Sequence, residues 1–193
     1  MMTINRTIRM TSVMAVFLCL TSCLKEKREV TYNSQEDKID KYVSTNMYRT
    51  VTENGESKTD TLRVVNRGGS VRLVLEEGTG EPLKPGGTIS LYYAGYIFTG
   101  SKSYSSMFIT NRKETADEAK WELTDESFEL KIIDMADAEL LKGLEDGLVG
   151  IKSGEHCQIL FSGKYAFGDK PFGIIPADSA LLFEIWAAGV SNE

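Results

Sequence analysis

Histidine and cysteine, the usual base and nucleophile of covalent catalysis, are scarce in this chain, at one and three residues. The one histidine, His156, precedes Cys157 in the alternating run His156-Cys157-Gln158-Ile159-Leu160-Phe161. In a strand that alternation puts Cys157 on a face with Ile159 and Phe161 and turns His156 to the other side, so the two do not form a nucleophile–base pair. Cys157 reads as a buried apolar thiol. A lone histidine excludes a His-rich metal site, and no Cys/His ligand spacing, P-loop or dinucleotide glycine motif is present, so neither metal nor cofactor is expected. The informative residues are apolar instead. Lys164-Tyr165-Ala166-Phe167-Gly168 is followed by Gly173-Ile174-Ile175-Pro176, then by Ala180-Leu181-Leu182-Phe183-Glu184-Ile185, which reads as a strand. Turn, apolar loop tip and strand in that order suggest a lined hydrophobic pocket. Core packing alone poorly explains Ile174 and Ile175 between a glycine and a proline, which favours a functional reading. Taken singly, Tyr93, Leu144 and Phe183 fit a plain core.

The N-terminus carries Arg6 and Arg9, then an apolar run from Met10 to Leu20, too short to span a bilayer as a mature helix. It ends in Leu20-Thr21-Ser22-Cys23, which resembles the bacterial lipobox. Residues 1–22 are therefore expected to be a lipoprotein signal peptide, with Cys23 carrying the lipid that anchors the protein to a membrane. Buried acyl chains contribute about 0.8 kcal/mol per CH2, so a multiply acylated cysteine anchors stably. Cleavage removes Arg6 and Arg9 and no acidic residue, taking the net charge from −6 to −8. An acidic domain argues against nucleic acid, whose binding needs Lys and Arg on phosphates. Cys19 leaves with the signal and Cys23 is modified, so Cys157 is left without an intrachain disulfide partner.

The elements that must position the pocket follow along the chain. Residues 24–35 are polar and predict a flexible tether. Asn33 or Ser34 then caps a short helix with a thin stripe of Ile39, Tyr42, Val43 and Tyr48. Asn66-Arg67-Gly68-Gly69 joins two strands as a hairpin. Thr88-Ile89-Ser90-Leu91-Tyr92-Tyr93 alternates, with Ile89, Leu91 and Tyr93 on one face. Thr115-Ala116-Asp117-Glu118 has the form of a capping box opening a short helix through Trp121. Phe128-Glu129-Leu130 reads as a strand, and Glu139 to Leu148 as a helix with Leu140, Leu141, Leu144 and Leu148 on one side. The whole predicts an α+β domain, a bent antiparallel sheet wrapped around a short α-helix.

From about Val71 to Val190 the chain resembles an FKBP-type peptidyl-prolyl isomerase. The matching pieces are Glu77-Gly78-Thr79-Gly80, Pro85-Gly86-Gly87, Tyr92-Tyr93-Ala94-Gly95-Tyr96, Gly143-Leu144-Glu145-Asp146-Gly147-Leu148, Tyr165-Ala166-Phe167-Gly168 and Gly173-Ile174-Ile175-Pro176. The resemblance implies a lead-in at 23–60 and an isomerase domain at 61–193. It implies a hollow that binds proline, with Tyr93 and Phe128 as walls and Leu144 as floor. Leu140 and Leu141 stand at the helix start, Phe167 is the upper wall, Ile174 and Ile175 the loop tip, and Phe183 the last strand's contribution. The Ile175 N–H is expected to hydrogen-bond a carbonyl of the peptide. Implied partners are proline-containing segments of exported polypeptides in a bacterial cell envelope, and the missing aspartate after Cys23 favours the outer membrane by analogy with proteobacterial sorting. The chain departs from the family pattern at Ser103-Tyr104-Ser105-Ser106, where either Tyr104 or Ser103 takes the place of the family's aromatic and the acidic residue is absent. It departs again at Leu144 for tryptophan and Phe167 for tyrosine. The longer segments 107–127 and 131–138 are expected to flank the pocket as a flap. Two functions remain open, an active isomerase and a non-catalytic or weakly catalytic FKBP-like chaperone.

Overall fold

The computed structural model describes residues 4–53 and 56–193, with side chains at 25–52 and 56–193. The side chain of the expected lipid carrier Cys23 and those of the expected signal peptide lie outside the described ones. Among the described residues no helix is long and apolar enough to cross a membrane.

Helix α1 (Ile4–Asn46) contains neither glycine nor proline, so nothing in its covalent structure interrupts it. The tether expected at 24–35 is therefore corrected to helix, and that helix is docked. Tyr32, Ile39 and Val43 recur at near-helical spacing and are buried. Gln35 clamps the contact: its Nε2 donates to the Asp178 carbonyl at 2.6 Å and its Oε1 accepts from the Gly163 N–H at 2.8 Å. Tyr48, expected on the same stripe, is exposed in strand β1 (Tyr48–Glu53), which forms a separate hairpin with β2 (Glu56–Thr61).

The main sheet holds β3 (Val64–Arg67), β4 (Ser70–Glu76), β5 (Thr88–Ile97), β6 (Met107–Thr110), β7 (Lys131–Asp134), β8 (His156–Phe161) and β9 (Leu181–Ser191), all antiparallel. Its order is β3-β4-β8-β9-β5, after which β6 and β7 share the outer edge of β5. The β3–β4 hairpin turns at Gly68-Gly69 as the sequence predicts, with Gly68 at φ +54. Strand alternation gives the sheet two buried faces. Leu91, Ile159, Phe161 and Ile185 belong to the concave core. Ala94, Tyr96, Leu160 and Leu182 form the convex core, which Ile39 and Val43 of α1 join.

Helix α3 (Lys142–Leu148) lies in the concavity, three residues shorter at its start than the leucine pattern suggests, with Leu141 as its N-cap. It sits close to the sheet because two of its residues lack Cβ. A side chain at Gly143 would collide with Phe161, and one at Gly147 with Ile159. Its C-terminal end is held by Arg72, whose Nη1 donates to the carbonyls of Gly147 (2.6 Å) and Val149 (3.0 Å). These are among the carbonyls a helix end leaves unpaired.

Helix α2 (Lys113–Glu118) starts after Arg112, so Thr115 is buried inside it and the capping-box reading fails. Phe128 closes a 3-10 turn (Asp125–Phe128), and the strand expected there falls at β7. Within the two segments expected as a flap, 107–110 and 131–134 are edge strands of the sheet, and the second flanks the pocket as expected.

Candidate functional site

Between α3 and the concave face lies a cavity of about 160 Å³. Strand β5 supplies Leu91 and Tyr93 to its wall, and β9 supplies Phe183 and Ile185 at facing registers. Leu144 and Leu148, one helical turn apart on α3, form the floor with Leu140 beside them. Strand β7 adds Lys131 and Ile133, which alternate onto the same side.

Tyr93 sits where β6 and β7 part on the edge of β5, and Asn111 bridges that gap. The Asn111 Oδ1 accepts from the Tyr93 N–H at 2.6 Å, and its Nδ2 donates to the Glu129 carbonyl at 2.9 Å. The backbone of the cavity's tyrosine is thus pinned although no strand pairs with it there. Burial raises the Tyr93 phenol above its ordinary pKa. Its hydroxyl makes no hydrogen bond among the described residues, which leaves it available to a ligand.

Of the residues singled out in the sequence, Tyr93, Leu140, Leu144 and Phe183 meet at this cavity. Leu141, Phe167 and Ile175 pack against the same apolar cluster without lining the cavity. Ile174 stands at the loop tip, 72% exposed. Phe167 stacks on Phe172 with ring centres 4.6 Å apart, and Phe172 is itself exposed. The expected donor at Ile175 is corrected. Its N–H bonds the Phe172 carbonyl at 2.9 Å, closing the turn through Gly173 at φ +55. The Leu141 N–H, at the N-cap of α3, has no hydrogen-bond partner among the described residues, like the other N–H groups of that helix's first turn.

Two expected walls are on the wrong face. Phe128 lies beside Tyr92 and Trp186 on the convex side, with the Lys113 ammonium 5.1 Å above its ring. Tyr104 packs 6.4 Å from Tyr96, and its hydroxyl bonds Glu118. The alternation of β5 and β9 decides this, because both residues join the even-numbered side of the sheet. Phe108 and Ile133 take the places near the cavity instead. Phe108 meets Phe183 edge-on at 5.8 Å, and Phe183 stacks on Phe161 at 6.1 Å. A glycine in β5 makes room: a Cβ at Gly95 would lie 2.7 Å from the Phe108 ring. That interior strand glycine was the signal in the sequence, since such a residue often marks close approach by a neighbour.

The surroundings hold no covalent machinery. Cys157 is fully buried, and desolvation pushes its thiol well up, the reverse of an activated nucleophile. His156 faces the convex side, stacked on Trp186 at 4.8 Å with Nε2 3.0 Å from Glu184. Among the described residues no group of three or more His, Cys, Asp or Glu could hold a metal ion. What the site offers is an apolar slot lined by Tyr93, whose hydroxyl is unpaired among the described residues.

The architecture is a half-wrapped antiparallel sheet with an apolar slot over a short helix. A family profile described as FKBP-type peptidyl-prolyl cis-trans isomerase matches residues 79–186, and the chain belongs to that family. FK506-binding protein 1 of Aspergillus oryzae is 24% identical over 117 residues, 61% of this chain and 94% of that protein. An inactive peptidyl-prolyl cis-trans isomerase of Rattus norvegicus is 26% identical over 118 residues, 61% of this chain but 31% of that protein. The crystal structure of FkpA from Escherichia coli superposes with a TM-score of 0.51 at 19% identity, covering 94% of this chain and 70% of that one. The last shows likeness of fold alone.

Proposed function

We propose that this protein is a peptidyl-prolyl cis-trans isomerase that assists exported polypeptides in the cell envelope. The observation that carries the reading is the apolar cavity lined by Tyr93, whose hydroxyl is unpaired among the described residues, over the helix that begins after Leu141. Rotation about a prolyl peptide bond needs no nucleophile or metal. The barrier of roughly 18–20 kcal/mol is lost amide resonance. The slot formed by Phe183, Ile185 and Leu144 holds the proline ring and removes the amide from water, which favours the less polar twisted form. The Leu141 N–H and Tyr93 hydroxyl hold peptide carbonyls on either side of that bond, so that rotation occurs about a fixed axis. The lipid on Cys23 anchors the domain at the outer membrane, close to newly exported chains whose prolyl bonds isomerise slowly on their own.

The test is the isomerisation rate of a prolyl peptide with soluble protein beginning after Cys23. Acceleration that falls in Tyr93→Ala while the fold persists supports the reading; background rates at micromolar protein overturn it. For anchoring, Cys23→Ser releases the protein from the membrane fraction, and unchanged fractionation refutes lipidation there. A second reading, a peptide-holding chaperone of low activity, is favoured by the leucine floor at Leu144 and by a relative named as inactive. Peptide binding without acceleration selects it.

A further inference from the structure

The cavity wall carries one cation, Lys131. Its neighbours there are otherwise aliphatic or aromatic, so the lysine lends its apolar stem to the wall and keeps its ammonium at the mouth. The strand fixes that placement. Lys131 pairs with Leu91 and Ile133 with Ile89, so both alternate onto the cavity side while Ile132 points out, 64% exposed. Lys131 forms no ion pair among the described residues. Lys142, the other lysine near the start of α3, is engaged by Glu145 and Asp146. A lone ammonium at the mouth of an apolar slot, on a chain of net charge −6, is a local reversal of sign.

We infer that Lys131 makes the site selective for proline segments in which an acidic residue adjoins the proline. The inference rests on the isomerase reading for its reaction, though not for its binding preference. The proline ring fills the slot between Phe183 and Leu144, and the adjoining carboxylate meets the Lys131 ammonium at the rim. A basic residue in the same place is repelled. An exposed ion pair changes an equilibrium by up to about fivefold, so selectivity of a few-fold is expected, not an absolute requirement.

Two series of peptides test this, with Glu, Gln or Lys directly before the proline in one and directly after it in the other. At low salt, kcat/KM in at least one series falls from Glu to Gln to Lys by about two- to fourfold per step. At 1 M salt, where screening acts within about 3 Å, the order flattens. Lys131→Glu reverses it and Lys131→Met abolishes it. Wild-type rates that rise above background but are equal across both series overturn the inference and leave the isomerase reading intact. If all rates stay at background, dissociation constants of the same peptides decide: the order Glu, Gln, Lys upholds the inference while the isomerase reading fails, and flat or absent binding overturns both.

Discussion

Arg72→Met should strongly destabilise this protein, although Arg72 lies outside the cavity. The Arg72 guanidinium is 3% exposed and the Glu155 carboxylate fully buried, with Nε and Oε1 3.2 Å apart. That contact is not aligned as a hydrogen bond, so the attraction is coulombic, while Nη1 serves Gly147 and Val149. Removing the cation leaves Glu155 with Arg63 at 3.4 Å and the Lys152 N–H at 3.4 Å, and strands two carbonyls at the end of α3. Breaking one side of a buried pair costs about 3–5 kcal/mol, against a whole stability of about 5–15 kcal/mol. At about 2–4 °C per kcal/mol for a chain of this size, Tm falls by roughly 6–20 °C. The loss has a pH signature. Burial already raises the Glu155 carboxyl, with Arg72 and Arg63 opposing that rise. Without Arg72 it rises further, so the folded state holds this proton more tightly than the unfolded one. The added penalty is absent below the ordinary carboxylate range and grows as pH climbs through the raised value. Urea unfolding at pH 5 and pH 8, followed by circular dichroism, measures both effects. A loss under 1 kcal/mol, or one larger at pH 5 than at pH 8, refutes the reasoning. Because α3 carries Leu144 and Leu148, peptide binding should weaken even in the fraction that stays folded.

Three further outcomes follow from contacts around the two faces. Phe108→Ala removes the ring edge against Phe183 and should weaken proline-peptide binding about three- to tenfold, by about 0.5–1.5 kcal/mol for an aromatic pair; fluorescence titration reads it, and unchanged affinity places Phe108 outside the site. Glu184→Gln removes the ionised partner of Lys102 and His156. Burial raises the Glu184 carboxyl, but hydrogen bonds from His156 and Lys102 outweigh it and leave it depressed, so its contribution is present above the ordinary carboxylate range and lost as pH falls through the lowered value. Wild type should therefore lose more stability than the variant between pH 6 and pH 3, and parallel curves refute this. Cys157 should resist thiol reagents in the folded protein and react within the unfolding transition; prompt labelling of native protein contradicts its burial.

Local chemistry carried much of the architecture. The Gly68-Gly69 turn, the alternation of Thr88–Tyr93 and the leucine spacing from Leu140 to Leu148 each report on neighbours within a few residues, and the structure bears out these elements and the α+β class. Glycine-aromatic runs in a fixed order were enough to identify the family. Boundaries failed where tertiary contacts outweighed local preference. Thr115 has the side chain of a cap but is buried inside α2. The polar stretch 24–35 has the composition of a tether, yet Tyr32 and Gln35 gain partners at Asp178 and Gly163 that only folding supplies.

The identity of the wall residues was decided by register. Phe128 and Tyr104 have the aromatic character of pocket walls, and sequence order placed them near one. A strand's two faces differ by a single residue, so a short shift from Phe128 to β7 turned the wall over to Lys131 and Ile133. The same sheet edge admitted Phe108 opposite Gly95. Residue patterns alone thus gave the α+β class and the leucine helix, and the family resemblance added an apolar slot between that helix and Tyr93 and Phe183. Which residues close it and which charge stands at its mouth came from the folded sheet, because those depend on strand pairings between residues distant along the chain.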